Sequence, residues 1–438
     1  MTATKTLPGV LALGLLAAWA HSAVAAPDAA PPPASAAEAI TAGRLILEMR
    51  GRYEFVDQTR AGAIAEPAEA LTVRTRLGWE TAAWIGVRGL VELEDVQHVG
   101  PARFAVNTPG ATTPPLNGAD KARFPAVNDP DVTELNRLQL TWKPSPVATV
   151  TVGRQRILID DQRFVGNAGW RQDEQTFDAA RLDGNLGAFS ATYAYLTRIN
   201  RVLGDLRDWR SDSHLFSAAW SVDPTLRAEV FVYALDFSNS PPNSSLTRGV
   251  KFSGNAAAGP YRFVYDATWA RQSDYRHATS PYDLDYWGAD VAGSTGAYTV
   301  KASYEWLQGN GTRGFTTPLA TTHAFQGWAD AWVQPLGGNK GFVDGLKDFN
   351  LTAGLKPKLK IAGFANPDLL LRYHDFEDQR TGARLAHEWD AQVLGWITPK
   401  VSLALKYADF QRVAAVPAGT TTPPASRTKI WLTLEYRY

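Results

Sequence analysis

The last nine residues of the chain, Ile430-Trp431-Leu432-Thr433-Leu434-Glu435-Tyr436-Arg437-Tyr438, alternate strictly in character. Side-chain direction reverses at each residue of a pleated strand, so Ile430, Leu432, Leu434, Tyr436 and Tyr438 share one face and Trp431, Thr433, Glu435 and Arg437 the other. A closing strand with one face for lipid, one for a polar lumen and an aromatic as its last residue is expected of a transmembrane β-barrel. An edge strand of a soluble sheet would also alternate, so the choice rests on the other end of the chain.

There, Lys5 precedes an apolar run from Leu7 to Ala20, and Ala23-x-Ala25 supplies a small-x-small cleavage pattern. Residues 1–26 read as a secretory signal peptide, because a run of about 14 apolar residues is too short to span a bilayer as a helix. Residues 27–43 read as a linker, with Pro27 to Ala39 a disordered Pro/Ala stretch. No later segment offers the roughly 18 uncharged apolar residues of a membrane helix. An exported chain of this kind enters a membrane as a barrel, where every backbone group is paired between strands.

Composition agrees. Without cysteine there is no disulfide framework, and 15 Trp, 15 Tyr and 18 Phe suit aromatic girdles at two interfaces. Lys+Arg 44 balance Asp+Glu 44, which argues against nucleic acid as a partner.

The alternation recurs along the chain. Leu45, Leu47, Met49, Tyr53 and Phe55 oppose Glu48, Arg50, Arg52 and Glu54; Leu71 to Trp79 oppose Arg74, Arg76 and Glu80. Arg at the lipid-facing midplane costs about 2–4 kcal/mol, so the charged faces point inward. The same parity turns Arg137, Arg372 and Lys406 to the lumen. Strands are expected near 44–56, 70–81, 84–95, 134–143, 147–156, 174–183, 187–198, 212–221, 225–238, 247–254, 260–270, 282–292, 297–307, 346–355, 367–377, 386–397, 400–411 and 428–438. Short turns alternate with long polar loops between them. The count is eighteen, even as a barrel with both ends on one side requires. Phe325 to Val333 competes with Phe349 to Leu355 for one of these strands; parity permits one of the two.

Residues 153–178 carry Gly153-Arg154-Gln155, Asp161, Arg163-Phe164-x-Gly166-Asn167, Trp170-Arg171-Gln172 and Gln175-Thr176-Phe177-Asp178. With Gly327-Trp328-Ala329-Asp330, Tyr373-His374-Asp375-Phe376 and Lys429-Ile430-Trp431-Leu432, this run resembles the bacterial alginate-export family of outer-membrane barrels. The resemblance covers most of residues 44–438. It implies an eighteen-stranded, arginine-lined channel narrowed by inward loops, which in the family's namesake passes the polyuronate alginate. Other members need not carry that substrate.

The inward arginines Arg50, Arg52, Arg74, Arg76, Arg137 and Arg372 are candidates for an anion path, since guanidinium is always charged and meets carboxylates bidentately. Neighbouring acids, among them Glu48, Glu54, Glu80, Glu92 and Glu94, could instead pair them into a ladder that stiffens the barrel. Arg154 and Arg156 join the candidates through the family motif, although alternation sets them with Val150 and Val152; either a bulge at Gly153 turns them inward or they sit at the rim. Asp161, Arg163, Asn167, Trp170 and Arg171 belong to a mouth or constriction loop from Ile157 to Asp173, and Val96 to Asp131 is long enough to fold inward. Adjacent His374-Asp375 and His387-Glu388 point to opposite faces and cannot act as dyads. No nucleophile elbow, P-loop or Cys/His metal set occurs, so no enzyme, cofactor or metal is expected; Asp160-Asp161 with Asp173-Glu174 lack regular calcium-ligand spacing. The expected partners are outer-membrane lipid, an anionic polysaccharide or small acidic solutes, and periplasmic export machinery. Export of an acidic polysaccharide and uptake of small nutrients both remain open, with a barrel-borne hydrolase as a third reading.

Overall fold

The structure is a computed structural model that describes residues 32–438 apart from 61, 107–113, 333–342, 362 and 421. The expected signal peptide lies outside the described residues. The expected disordered stretch is in part ordered: α1 (Ala36–Thr41) begins at Ser35, whose hydroxyl accepts the Glu38 amide at 3.2 Å. Serine at this position satisfies a helix-start donor that would otherwise lack a partner. The Trp79 indole then donates to Ile40 O at 2.8 Å and ties α1 to the barrel wall.

Nineteen strands follow among the described residues. They are β1 (Arg44–Gln58), β2 (Ala68–Glu80), β3 (Val87–Arg103), β4 (Val132–Ser145), β5 (Ala148–Gln155), β6 (Thr176–Leu186) and β7 (Phe189–Asn200). Next come β8 (Trp209–Asp223), β9 (Leu226–Leu235), β10 (Ser245–Ala258), β11 (Tyr261–Ser273), β12 (Asp283–Thr295) and β13 (Tyr298–Gln308). The last six are β14 (Gly345–Leu355), β15 (Lys360–Ile361), β16 (Phe364–Asp378), β17 (Arg384–Thr398), β18 (Val401–Arg412) and β19 (Arg427–Arg437). Each pairs antiparallel with its sequence neighbour, except that β14 pairs with β16 and the two-residue β15 only folds back on β16. β1 pairs with both β2 and β19, so the wall closes as an eighteen-stranded barrel without a free edge. The Tyr438 amide donates to Leu47 O at 3.0 Å, which makes the chain's last residue part of the closing seam.

All eighteen expected strands are present, and β14 resolves the open choice: 345–355 is wall, whereas Phe325 to Trp332 is loop. The faces follow parity. Met49 is 44% exposed on the outer surface while Arg50 and Arg52 are 3% and 2% exposed inside. Leu77, Leu93, Leu140, Leu351 and Leu432 stand outward in the same way.

The end that carries α1 and Tyr438 has short turns, and the opposite end carries the long loops. The loop after β3, long enough by its sequence to fold inward, does so at the long-loop end: its Phe104, Val106, Phe124 and Val127 pack with Leu203 on Val56, Ala68 and Ala70, which share the inward parity of Arg52 and Thr72. Two other loops enter the lumen, 156–175 after β5 and, after β13, 309–332.

Candidate functional site

The first inward loop, 156–175, is inside the barrel because its polar groups find partners on the wall. Gln172, Asp173 and Glu174 are 0% exposed and Arg163 is 3% exposed. Buried charges persist only when paired or hydrogen-bonded. Arg163 meets Glu305 of β13 and donates to Thr317 Oγ1 at 2.8 Å. Arg171 bridges Glu54 of β1 at 3.4 Å and Asp330 of the second inward loop at 2.9 Å. Asn167 donates to Glu174 Oε2 at 2.7 Å, and Asp161 takes Lys251 of β10 at 3.2 Å.

The two loops are joined to each other. Val165 and Leu319 form a parallel bridge, Gly166 N donates to Leu319 O at 2.8 Å, and Thr321 Oγ1 donates to Gln162 Oε1 at 2.7 Å. A β-carbon on Gly166 would lie 2.3 Å from Thr321 Oγ1, so this approach requires glycine. Among the described residues, five of the eight non-glycine residues with positive φ, Asp160, Gln162, Ala168, Gln326 and Asp330, lie in these loops. Such conformations persist where surrounding contacts over-determine them.

The inward arginines mostly form a ladder. Arg50 lies 3.5 Å from Glu435 and donates to Gly169 O at 3.1 Å. Arg74 touches Glu48 at 3.4 Å, Glu435 at 3.6 Å and Glu94 at 3.9 Å. Arg76 meets Glu94, with Glu174 at 3.3 Å and Glu48 at 3.5 Å. Arg137 closes on Glu92 at 2.5 Å. Arg156 turns inward where β5 ends and reaches Glu174 at 2.5 Å and Glu92 at 3.5 Å.

Arg154 departs from the expected lumen placement. Gly153 has φ 109°, yet the pairing runs through it without a shift between β5 and β6. Arg154 therefore keeps the outward parity, across from Leu138, and pairs with Asp178 at 2.8 Å. The calcium grouping weighed from sequence is also divided: Asp160 and Asp161 face Arg227 and Lys251, while Asp173 and Glu174 face β3 to β5.

Among the cations outside the ladder, three share one place. Arg52, Arg372 and Lys406 form no salt bridge among the described residues and gather around two indoles. Arg52 lies 4.2 Å from the Trp170 ring and donates to Trp170 O at 2.6 Å. Lys406 Nζ sits 4.1 Å from Trp170 and 3.7 Å from Trp328. Arg372 is 5.4 Å from Trp328 and donates to Thr352 Oγ1 at 3.0 Å. Cation–π attraction holds such buried groups in place without neutralising them.

The second inward loop supplies the rest. His323 stacks on Trp170 and bonds Asp330 through Nδ1 at 2.9 Å. Burial brings the His323 imidazole down to about 3, so it is neutral. Burial works against ionised Asp330, yet Lys429, His323 and Arg171 hold its carboxyl well below the usual range. Burial beside Glu134 and Glu94 pushes the Asp173 carboxyl well above its own.

Sequence reasoning did not single out Trp328, His323, Asp330 or Lys406 as site residues. Parity had turned Lys406 inward, and Trp328 and Asp330 lay in a quoted motif, but neither signal says that a loop meets a wall. Buried His374 was likewise set aside; it bonds Asp348 across the strand at 2.8 Å rather than its sequence neighbour Asp375.

A family model described as alginate export matches residues 44–332. No curated protein matches the chain. Among solved structures, Pseudomonas aeruginosa OccK9 (OpdG) superposes with a TM-score of 0.67 at 14% identity, covering 91% of this chain and 100% of that one. Pseudomonas aeruginosa OpdK with vanillate gives 0.67 at 11% identity over 91% and 99% of the two chains. Acinetobacter baumannii OccAB2 gives 0.67 at 13% identity, also over 91% and 99%. At these identities the likeness is one of fold, an eighteen-stranded outer-membrane barrel.

Proposed function

The chain belongs to the alginate export family of outer-membrane channels, and on that premise we propose that it passes small anionic solutes, carboxylates attached to a flat ring, by passive diffusion. One observation carries this reading: Arg52, Arg372 and Lys406, without salt bridges among the described residues, surround Trp170 and Trp328 where the two inward loops meet the wall. A ring can stack on an indole while its carboxylate exchanges cation–π contacts for charge-assisted hydrogen bonds, which are roughly twice as strong as neutral ones. OpdK was solved with vanillate, a ligand of that class, and the likeness of fold makes the class a natural probe here.

Polyuronate export is the second reading, favoured by the family. The inward loops and the paired ladder weigh against it, because a polymer needs a continuous wide cationic path. The reading assigns the chain no chemistry of its own, and the solute's gradient supplies the drive. Proteoliposome swelling tests it. Benzoate-sized ring carboxylates should enter faster than neutral rings of equal size. Equal rates, or entry of oligouronates in preference to monomers, would overturn it.

A further inference from the structure

Three carboxyl groups meet at the root of the first inward loop. Glu94 comes from β3, Glu134 from β4 and Asp173 from the loop, and one oxygen from each lies within 4.8 Å of the others. That span is about twice a calcium–oxygen distance of roughly 2.3–2.6 Å, so one ion can touch all three. This is not a solvated acidic patch. Glu94 and Asp173 are 0% exposed. Neither oxygen of Asp173, nor Oε1 of Glu134, makes a hydrogen bond of ordinary geometry, and Asp173 has only looser contacts with the Gly204 amide and Glu94. Glu94 has Arg76 and Arg74 for partners, whereas Asp173 and Glu134 form no salt bridge among the described residues. A buried carboxylate left without compensation costs several kcal/mol.

We propose that Glu94, Glu134 and Asp173 hold a calcium ion that pins the first inward loop to β3 and β4. The donors are all oxygen, as hard cations require, and the dry, crowded arrangement disfavours magnesium, which keeps its waters and demands near-ideal octahedral geometry. Asp173 sits between Gln172, whose amide donates to Asp129 at 2.9 Å, and Glu174, whose amide donates to Glu94 at 3.1 Å. An ion here fixes the stem from which Trp170 and Arg171 project.

Calorimetric titration of the refolded, EGTA-stripped full-length barrel with calcium chloride tests the proposal. One site per chain is expected, weakened about 10–100-fold or more in both Asp173→Asn and Glu134→Gln, because even outer contacts of a metal site carry that much affinity. Heat-modifiable electrophoretic mobility confirms that each variant is a folded barrel. Magnesium at equal concentration should leave the calcium isotherm unchanged. The proposal is overturned by folded wild-type protein that takes up no calcium, by variants that bind as tightly as wild type, or by equal competition from magnesium.

Discussion

Trp170 and His323 stack face to face, with ring centroids 4.0 Å apart and planes 3° from parallel, although they belong to different inward loops. Trp431 of the closing strand meets the same indole edge-on at 5.5 Å. Trp170 therefore fastens the first loop, the second loop and the barrel wall at one point, with Arg52 and Lys406 against its faces.

Removing that ring should open the passage. Trp170→Ala gives up packing worth roughly 3 kcal/mol or more, on the scale of large-to-small substitutions. Single-channel recording should show higher conductance and more frequent current fluctuations, with Trp170→Phe close to wild type. Unchanged conductance in the alanine variant would mean that the stacked pair does not close the lumen.

Arg171 tests the ion-pair anchor. It serves Glu54, 1% exposed, and Asp330 together. Deleting one partner of a buried pair costs about 3–5 kcal/mol, chiefly by stranding the other charge. Arg171→Ala should make the first loop a protease site in the folded barrel. Adding Asp330→Asn should cost less than the sum of the two single changes, since contacting residues couple by roughly 0.5–3 kcal/mol.

Acid should loosen the same anchor. Docking lowers His323 from 6.5 to about 3, so the docked loop refuses a proton that the undocked loop accepts. The stability it lends is full above about pH 6.5 and is lost as pH falls toward about 3. Asp330 acts lower: its depressed carboxyl contributes above the ordinary value of 3.8, and that contribution disappears as pH falls through its docked value. Arg171, Lys429 and Lys406 face this pair, so added positive charge on it is repelled. Conductance should be flat near neutral pH and rise with acid from about pH 6.5, and His323→Gln should abolish the upper part of that rise. A pH-independent wild-type channel would contradict this.

How much could be read in advance follows from range. Met49 and Arg50 declare opposite faces through a period of two, a local signal that needs no knowledge of partners, and it was right for β1, β2, β4, β16, β18 and β19. The ends of strands were less legible. Arg156 escapes its parity because β5 stops at Gln155, whereas Arg154 obeys it and faces outward. α1 was hidden because its single cap, Ser35, stands in an Ala/Pro-rich run that is otherwise featureless. The constriction was least legible: Arg163 finds Glu305 and Trp170 finds Lys406 across the lumen, and no local pattern encodes such meetings.

The outward face carries its own test. Leu351 is 48% exposed and its neighbour Thr352 1% exposed. Leu351→Arg should destabilise the folded barrel by about 2–4 kcal/mol if that position lies at the bilayer midplane, and by less toward an interface. Refolding equilibria in lipid vesicles read this directly, and a neutral outcome at every outward leucine would contradict the membrane-facing assignment.

Anion recognition falls to Arg52, Arg372 and Lys406 around Trp170 and Trp328, which form no salt bridge among the described residues. The most direct measurement is the reversal potential of the refolded channel under a salt gradient, with and without a ring carboxylate, for wild type and for Arg372→Gln/Lys406→Met. Wild type should be anion-selective and blocked by the carboxylate, and the double variant should lose both properties while remaining a folded barrel. A wild-type channel that is unselective and indifferent to the carboxylate, or a double variant that is blocked as strongly, would contradict the account.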